Sequence, residues 1–385
     1  MEEKYSGTPS IQLDHRPFFS IVIACYNPRK YLKELLNSII AQKMNDDIEV
    51  ILSDDHSTEN YDDIVSEYDE TLCIKRVQTD YNFAPGNTRE RGTLYATGKW
   101  LCFADQDDVF VDDKLSNVKK TIIDKKETVY AVANFLQVNP TNDEIINAYY
   151  RPLGWNHAKY YNLDTWRKYN IHFVKDLVSH EDVYISSVMN CIMNSLNREP
   201  LYIDEYTYIW YSRPESISHR KYVRDNNQHL FLEKYLPDYI RATGDVYIDQ
   251  YMKGIISREY AVNSAAEILA YCYFYMQGFI FDNPKGFLRK NFEWCRGYLI
   301  RIKKLYQITN VDIWNLLAAN RADRYMQVEH TAHIGVGPYI PYFTLMEWME
   351  YLHKDGDPYP TENVLYTNKN KENNLEEENN ALGVH

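Results

Sequence analysis

The stretch Leu101-Cys102-Phe103-Ala104-Asp105-Gln106-Asp107-Asp108-Val109-Phe110 decides the fold. An apolar run from Trp100 to Ala104 has strand character and stops in three carboxylates within four residues. A buried strand that ends in clustered Asp puts negative charge at the carboxyl edge of a sheet, where open α/β sheets bind ligands. Hard oxygen ligands this closely spaced suit Mg²⁺ or Mn²⁺ together with the phosphates of a substrate. Such an ion could hold a diphosphate and absorb the charge of a departing nucleotide. The competing reading is an acidic loop capping the next helix, because Asp is a good N-cap.

Upstream, the same pattern repeats. Phe18-Phe19-Ser20-Ile21-Val22-Ile23-Ala24-Cys25 is a near-continuous apolar run, as expected of a central parallel strand. It stops at Tyr26-Asn27-Pro28, with the proline suited to a turn or a first helical turn. Leu32, Leu35, Leu36, Ile39 and Ile40 then give the apolar face of a helix over 31–42. A second strand, 48–53, ends in Asp54-Asp55; a helix follows over 61–68 and a third strand over 74–78. After a Pro-Gly break at Pro85-Gly86, residues 88–96 read as helix, leading into the strand at Trp100. Strand and helix alternating at this spacing imply a parallel sheet with crossover helices. The first turn lacks GxGxxG and no Walker A sequence occurs, so an NAD-type or P-loop site is not indicated. The strand ends carry Tyr-Asn, Asp-Asp and Asp-Gln-Asp-Asp instead, three polar clusters that would converge on one crevice.

With 385 residues there is core enough for one large or two medium domains. A formal charge of −13 argues against a nucleic-acid partner, since phosphate affinity needs a basic surface. No run approaches the roughly 18–20 apolar residues of a membrane span, and the acidic start MEEKYSGTPS does not resemble a signal peptide. Six scattered cysteines without a CxxC pair read as reduced core residues. These features lead to the expectation of a cytoplasmic protein, either free or peripheral to the inner face of the cell membrane. The 35 tyrosines offer apolar faces with polar tips, useful on sugar rings or in interfaces, or simply reflect compositional bias.

Three segments together, SIVIACYNPRKYLKELLNSIIAQ, IEVILSDDHSTEN and NTRERGTLYATGKWLCFADQDD, resemble the nucleotide-binding half of a family 2 inverting glycosyltransferase of GT-A fold. The similarity runs from Phe18 to Lys221. It implies that Ala24, Tyr26 and Asn27 contact the nucleotide and that Asp55 reads the base, usually uracil, whose N3–H a carboxylate can accept. It implies that Arg89 faces the diphosphate, although Glu90 stands where relatives commonly have Asn. Asp105, Gln106 and Asp107 map to the DxD region, with Asp107 the expected ligand of Mn²⁺ or Mg²⁺. His157-Ala158-Lys159-Tyr160-Tyr161 and Ile171-His172-Phe173 are similar to the segment before the family's acid pair, here Glu181-Asp182. An inverting transferase needs a base to deprotonate the acceptor hydroxyl. The resemblance gives that role to Asp182, with Glu181 orienting it or the acceptor. Ser179 as N-cap and two acids favourable to a helix dipole form the structural alternative. A strand over 202–211 leads to Ser212-Arg213-Pro214-Glu215-Ser216-Ile217-Ser218-His219, similar to a segment that approaches the diphosphate; His219 could complete a metal shell.

Residues 222–354 have a different pattern, with helical spacing over 230–236, 247–256, 260–281, 291–306 and 311–326. Gly335-Val336-Gly337-Pro338 breaks the pattern before a short helix at 343–353. His330 and His333 are three apart but lack nearby acidic ligands. From residue 355 the chain is polar and charged, as in a disordered tail. The expected architecture is therefore an irregular leader (1–17), an α/β GT-A (Rossmann-like) domain with a mostly parallel sheet (18–221), a mainly α-helical C-terminal region (222–354) for acceptor binding or homo-oligomerisation, and the tail (355–385). The expected activity is metal-dependent transfer from a UDP-sugar donor to a hydroxyl of a glycan or glycolipid acceptor, in capsule, lipopolysaccharide or teichoic acid synthesis. The rivals are a nucleotidyltransferase, for which ACYNPRK is a poor triphosphate loop, and a silent sugar-nucleotide or glycan-binding protein.

Overall fold

The computed structural model describes residues 4–5, 13–78, 85–174, 177, 180–213, 238–282 and 289–319. The chain divides into two compact units, Met1–Arg220 and Lys221–His385.

The first unit is built on one sheet. Its parallel centre is β2 (Phe19–Cys25), β3 (Ile48–Asp54), β4 (Cys73–Gln78) and β5 (Trp100–Asp105), in the spatial order β4-β3-β2-β5. In β3 every residue is buried, and in β2 all but Ala24, because helices cover both faces. That is why these strands read as continuous apolar runs rather than as alternation. The helix α1 (Leu32–Ile40) buries Leu32, Leu35, Leu36 and Ile39, the face anticipated from spacing.

Beyond β5 the sheet becomes mixed. β9 (Lys159–Asn162) is antiparallel to β5 and to β7 (Tyr130–Val138); β10 (Leu201–Tyr211) is parallel to β7; β6 (Val109–Phe110) is antiparallel to β10; and β8 (Ile145–Tyr149) is antiparallel to β7. The leader was expected to be irregular. Instead Lys4–Tyr5 forms β1, antiparallel to β4 with Lys4 opposite Gln78.

A second difference concerns α3 (Pro85–Leu94), which begins at the Pro-Gly pair instead of after it. Proline fits a first helical turn because its missing N–H would have no intrahelical partner there. Gly86 lets the turn lie against another chain segment: a Cβ added to it would be 3.2 Å from the Cβ of Glu181. Six residues on, a Cβ at Gly92 would meet Cγ1 of Val22 at 2.4 Å, so the helix rests directly on β2.

The amino edge of the sheet is tied by Glu49. Its carboxylate accepts hydrogen bonds from Ser20 Oγ (2.5 Å), the Gly98 amide (2.9 Å) and Lys75 Nζ (2.6 Å). Burial alone would raise this carboxyl, but Lys75, Ser20 and Thr97 hold it below the usual carboxylate range. One side chain thereby joins the starts of β2, β3 and β5.

The second unit is helical where described, with helices Val246–Met252, Arg258–Asp282, Arg289–Tyr306 and Asn310–Ala319. Ala261, Ala265, Leu269, Leu299 and Ile302 are fully buried within it. The helix expected over 247–256 ends at Met252 because Gly254 adopts φ +70°. Its amide donates to the Tyr251 carbonyl and that of Ile255 to Gln250, which closes the last turn in the manner of a glycine C-cap. The expected helices at 230–236 and 343–353, the Gly-Pro break, His330, His333 and the tail lie outside the described residues. Among the described residues no helix is long and apolar enough to cross a membrane. All six cysteines are buried free thiols.

Candidate active site

The sheet brings the three polar clusters to one edge. β3, β2 and β5 are adjacent, with Cys25 opposite Asp54 and Ala24 opposite Asp105. Gln106 then clamps Tyr26: the Tyr26 amide donates to Oε1 (2.7 Å) and Nε2 donates to the Tyr26 carbonyl (2.9 Å). This leaves the Tyr26 ring exposed at the edge. Asn27 adopts φ +49°, a left-handed conformation that asparagine tolerates. Its amide donates to Ser57 Oγ (2.8 Å), while Oδ1 accepts from the amides of Thr58 (2.9 Å) and Glu59 (3.2 Å). The Asn27 carboxamide oxygen therefore shapes the 57–59 loop. The two acids after β3 divide similarly. Asp54 accepts from the Ser57 amide (2.7 Å) and the Tyr61 hydroxyl (2.6 Å). Asp55, also buried, follows with its amide donated to the Cys25 carbonyl.

Arg89 links the two acidic groups singled out by the sequence. From α3 it donates to Asp105 (2.5 Å) and to Glu181 (2.8 Å), 92 residues further along. Burial opposes its charge, but Asp105 and Glu181 outweigh burial and raise the guanidinium above its ordinary value. Asp105 responds in kind: burial would raise it, and Arg89 holds it below the usual range. Glu90 has a separate job, its carboxylate accepting the Phe173 amide at 2.9 Å.

β10 grips the Asp-rich turn. The Tyr208 hydroxyl accepts the Asp105 amide (2.9 Å) and donates to Asp108 (3.0 Å), whose other oxygen accepts the Tyr211 amide (2.9 Å). Arg213 donates to the Asp107 carbonyl (2.9 Å and 3.1 Å) and lies 3.9 Å over the Tyr31 ring and 4.7 Å over that of Tyr211. Burial, then the charges of Asp107 and Asp105, push the Asp108 carboxyl well above its usual value. Oxygens of Asp105 and Asp108 and a ring nitrogen of His157 lie within 4.8 Å of one another. Mutually repelling carboxylates at the end of a strand are a donor set that fits a hard divalent cation, which would relieve the repulsion. His157 is stacked on Tyr208 and Trp210, and burial lowers it to about 4. His219 lies outside the described residues.

The acid pair opens α6 (Glu181–Ser195), so the helix N-terminus and the candidate base coincide. Ser179, the expected N-cap, is outside the described residues; His180 at φ +62° precedes the helix. Asp182 accepts the Val183 amide at 2.8 Å. Burial, followed by the charge of Glu181, pushes its carboxyl up to about 7, against the pull of Lys159 and Arg89. A carboxylate poised near neutral pH is suited to general base work. The grip of Tyr208 on Asp108, the approach of Lys159 to Asp182 and the linking role of Arg89 had no short-range signal, since the partners are distant in sequence.

Residues 20–177 match the family model described as Glycosyl transferase family 2, a match that stops before Glu181. An uncharacterized glycosyltransferase of Nostoc sp. is 31% identical over 129 residues, which is 33% of this chain and 39% of that protein. The poly(ribitol-phosphate) beta-N-acetylglucosaminyltransferase TarS of Staphylococcus aureus is 35% identical over 101 residues, 26% of this chain and 18% of TarS. The chain thus spans well under half the length of these curated relatives. The crystal structure of S. aureus TarS 1–349 in complex with UDP-GlcNAc shares the fold, with a TM-score of 0.56 and 20% identity over 83% of this chain and 92% of that one. Residues 20–177 thus match a family 2 glycosyltransferase domain, and the fold is of the GT-A type seen in TarS.

Proposed function

We propose that this protein is an inverting transferase that moves a sugar from a UDP-sugar to a hydroxyl of a glycan or glycolipid acceptor in a cell-surface polysaccharide. Capsule, lipopolysaccharide and teichoic acid are the candidate products. The observation that carries the reading is the Asp105–Arg89–Glu181 bridge, which joins the Asp-rich strand tip to the acid pair in one buried cluster. Uracil would lie against Asp55 and the diphosphate toward Arg89. Asp107 and Asp105 would hold Mn²⁺ or Mg²⁺, whose chemistry is to screen the charge of a leaving diphosphate. Asp182 takes the acceptor proton as the hydroxyl oxygen bonds to the anomeric carbon. The bond from that carbon to the diphosphate oxygen breaks, and UDP departs with the electron pair. Direct displacement inverts the anomeric centre. Six free thiols accord with work in a reducing compartment, on the cytoplasmic side of a membrane.

The test is UDP release from a panel of UDP-sugars with and without Mn²⁺. UDP-GlcNAc comes first, because the staphylococcal relative is named for that sugar. Metal-dependent release of UDP and an inverted product are expected. Binding without any release points to a silent sugar-nucleotide protein, and a retained anomer rules out direct displacement.

A further inference from the structure

Among the described residues, Lys159 is the one lysine sealed from solvent, 1% exposed, and the proposed reaction leaves it without a task. It stands on β9 opposite Val132 of β7. Its ammonium donates to Ser186 Oγ (2.9 Å) and to the Leu153 carbonyl. Ser186 in turn donates to the main-chain carbonyl of Asp182 (2.8 Å), one helical turn back. The cation therefore reaches the first turn of α6 through a single hydroxyl. Both of its acceptors are neutral, an expensive way to bury a charge unless a nearby anion benefits.

We propose that Lys159 is a positioning residue for the base Asp182, fixing the first turn of α6 through Ser186 and supplying the positive charge that favours the carboxylate form. This rests on reading Asp182 as the base. Among the described residues, the groups that act on Asp182 are Glu181 on its own helix, Arg89 of α3, and Lys159 and Tyr161 of β9. Glu181 opposes ionisation, and burial opposes it more. Arg89 favours ionisation, but its charge is already shared between Asp105 and Glu181. Among the described residues Lys159 has no carboxylate among its hydrogen-bond acceptors, and its charge bears on Asp182 as well as on the nearby His157. Burial disfavours the charge of Lys159, while Asp182 holds it up, as expected of two groups that sustain each other's charge.

The experiment is a carboxyl titration by ¹³C NMR, with the Asp182 signal assigned by its loss in Asp182→Asn. It needs no turnover, so it stands even if the transferase reading fails. In Lys159→Gln, and in the nearly isosteric Lys159→Met, the Asp182 midpoint should rise by about 1 unit or more, the effect of losing one adjacent cation. The ionised fraction at pH 7 then falls about fivefold. The acidic limb of kcat should move with it while the affinity for UDP holds. Lys159→Arg, which keeps the charge, should restore the midpoint. An unchanged midpoint in a folded neutral variant overturns the proposal. If neither neutral variant folds, the native midpoint decides. A midpoint below the roughly 8–9 range reached by unpartnered buried carboxyls supports a working cation, and one within that range refutes it.

Discussion

At the scale of single residues, the acids of the site divide by the task each is given. Asp54 and Asp55 are the same residue type side by side, and the resemblance gives the nucleotide base to the second. Only Asp54, however, anchors the Ser57 amide and the Tyr61 hydroxyl. Asp54→Ala leaves both donors unmatched in a buried setting and should cost about 1–3 kcal/mol of stability. Asp55→Ala should instead weaken UDP binding with little change in Tm. Equal losses of stability in thermal melts would erase the distinction. Asp182 carries the sharper consequence. Removing a base acts on the step in which the proton moves, so Asp182→Asn should lower kcat by roughly 10²-fold or more and leave donor affinity nearly intact. The same variant should be more stable than the native protein at pH 8. The carboxyl's folded value, about 7, is raised above its ordinary one of 3.8, so ionisation opposes folding. Its favourable contribution is complete below the unfolded value and lost as pH rises through the folded one. The Tm advantage of Asn should therefore grow between these limits, by about 2–4 °C per kcal/mol. Melts showing Asn less stable at pH 8, or an advantage that grows toward acid, contradict the assignment.

At the scale of elements, legibility in the sequence followed burial on both faces. β2, β3 and β5 could be read because covered parallel strands are uninterrupted apolar runs, and their abrupt polar ends marked the ligand edge. The antiparallel extension was not readable in the same way. β9 pairs with β5 some 60 residues earlier, and β8 is an exposed edge strand without an apolar face to announce it. Tyr208 and Tyr211 look like ordinary strand tyrosines until β10 is placed beside the Asp turn. Pro85 and Gly86 misled because both are breakers in a helix interior, whereas a first turn admits one and close packing demands the other. The position of α3 is what aims Arg89, and Gly92 sets that position through its contact with Val22. Gly92→Ala would drive a methyl into the short, branched side chain of Val22 and toward Cβ of Ser53, so it should cost about 1–3 kcal/mol. By shifting α3 it should also weaken metal-dependent UDP binding. Calorimetry and a melt together check this; an Ala variant with native Tm and affinity means α3 can slide without consequence.

At the scale of the whole molecule, every residue assigned to the donor, the ion or the base precedes Lys221, where the second compact unit begins. The helical unit carries none of these assigned residues, which leaves it the acceptor or assembly. Its described helices form a compact unit in which Gly244 allows Tyr298 within 2.5 Å of where a Cβ would stand, and Leu299 and Ile302 are fully buried. A unit with its own core can be removed without exposing the centre of another. The fragment 1–220 should therefore fold and bind UDP with Mn²⁺ at close to the affinity of the full chain. Transfer to a glycan acceptor should fall, while the slow hydrolysis of donor by water should persist. Hydrolysis is the useful control, because it calls on the donor site and the base but on no acceptor contact. Light scattering on both proteins separates the two remaining roles. A full chain that self-associates beside a monomeric fragment assigns assembly to the helices. Two monomers with unequal transfer rates assign them the acceptor. A fragment that transfers as fast as the full chain removes the acceptor role altogether.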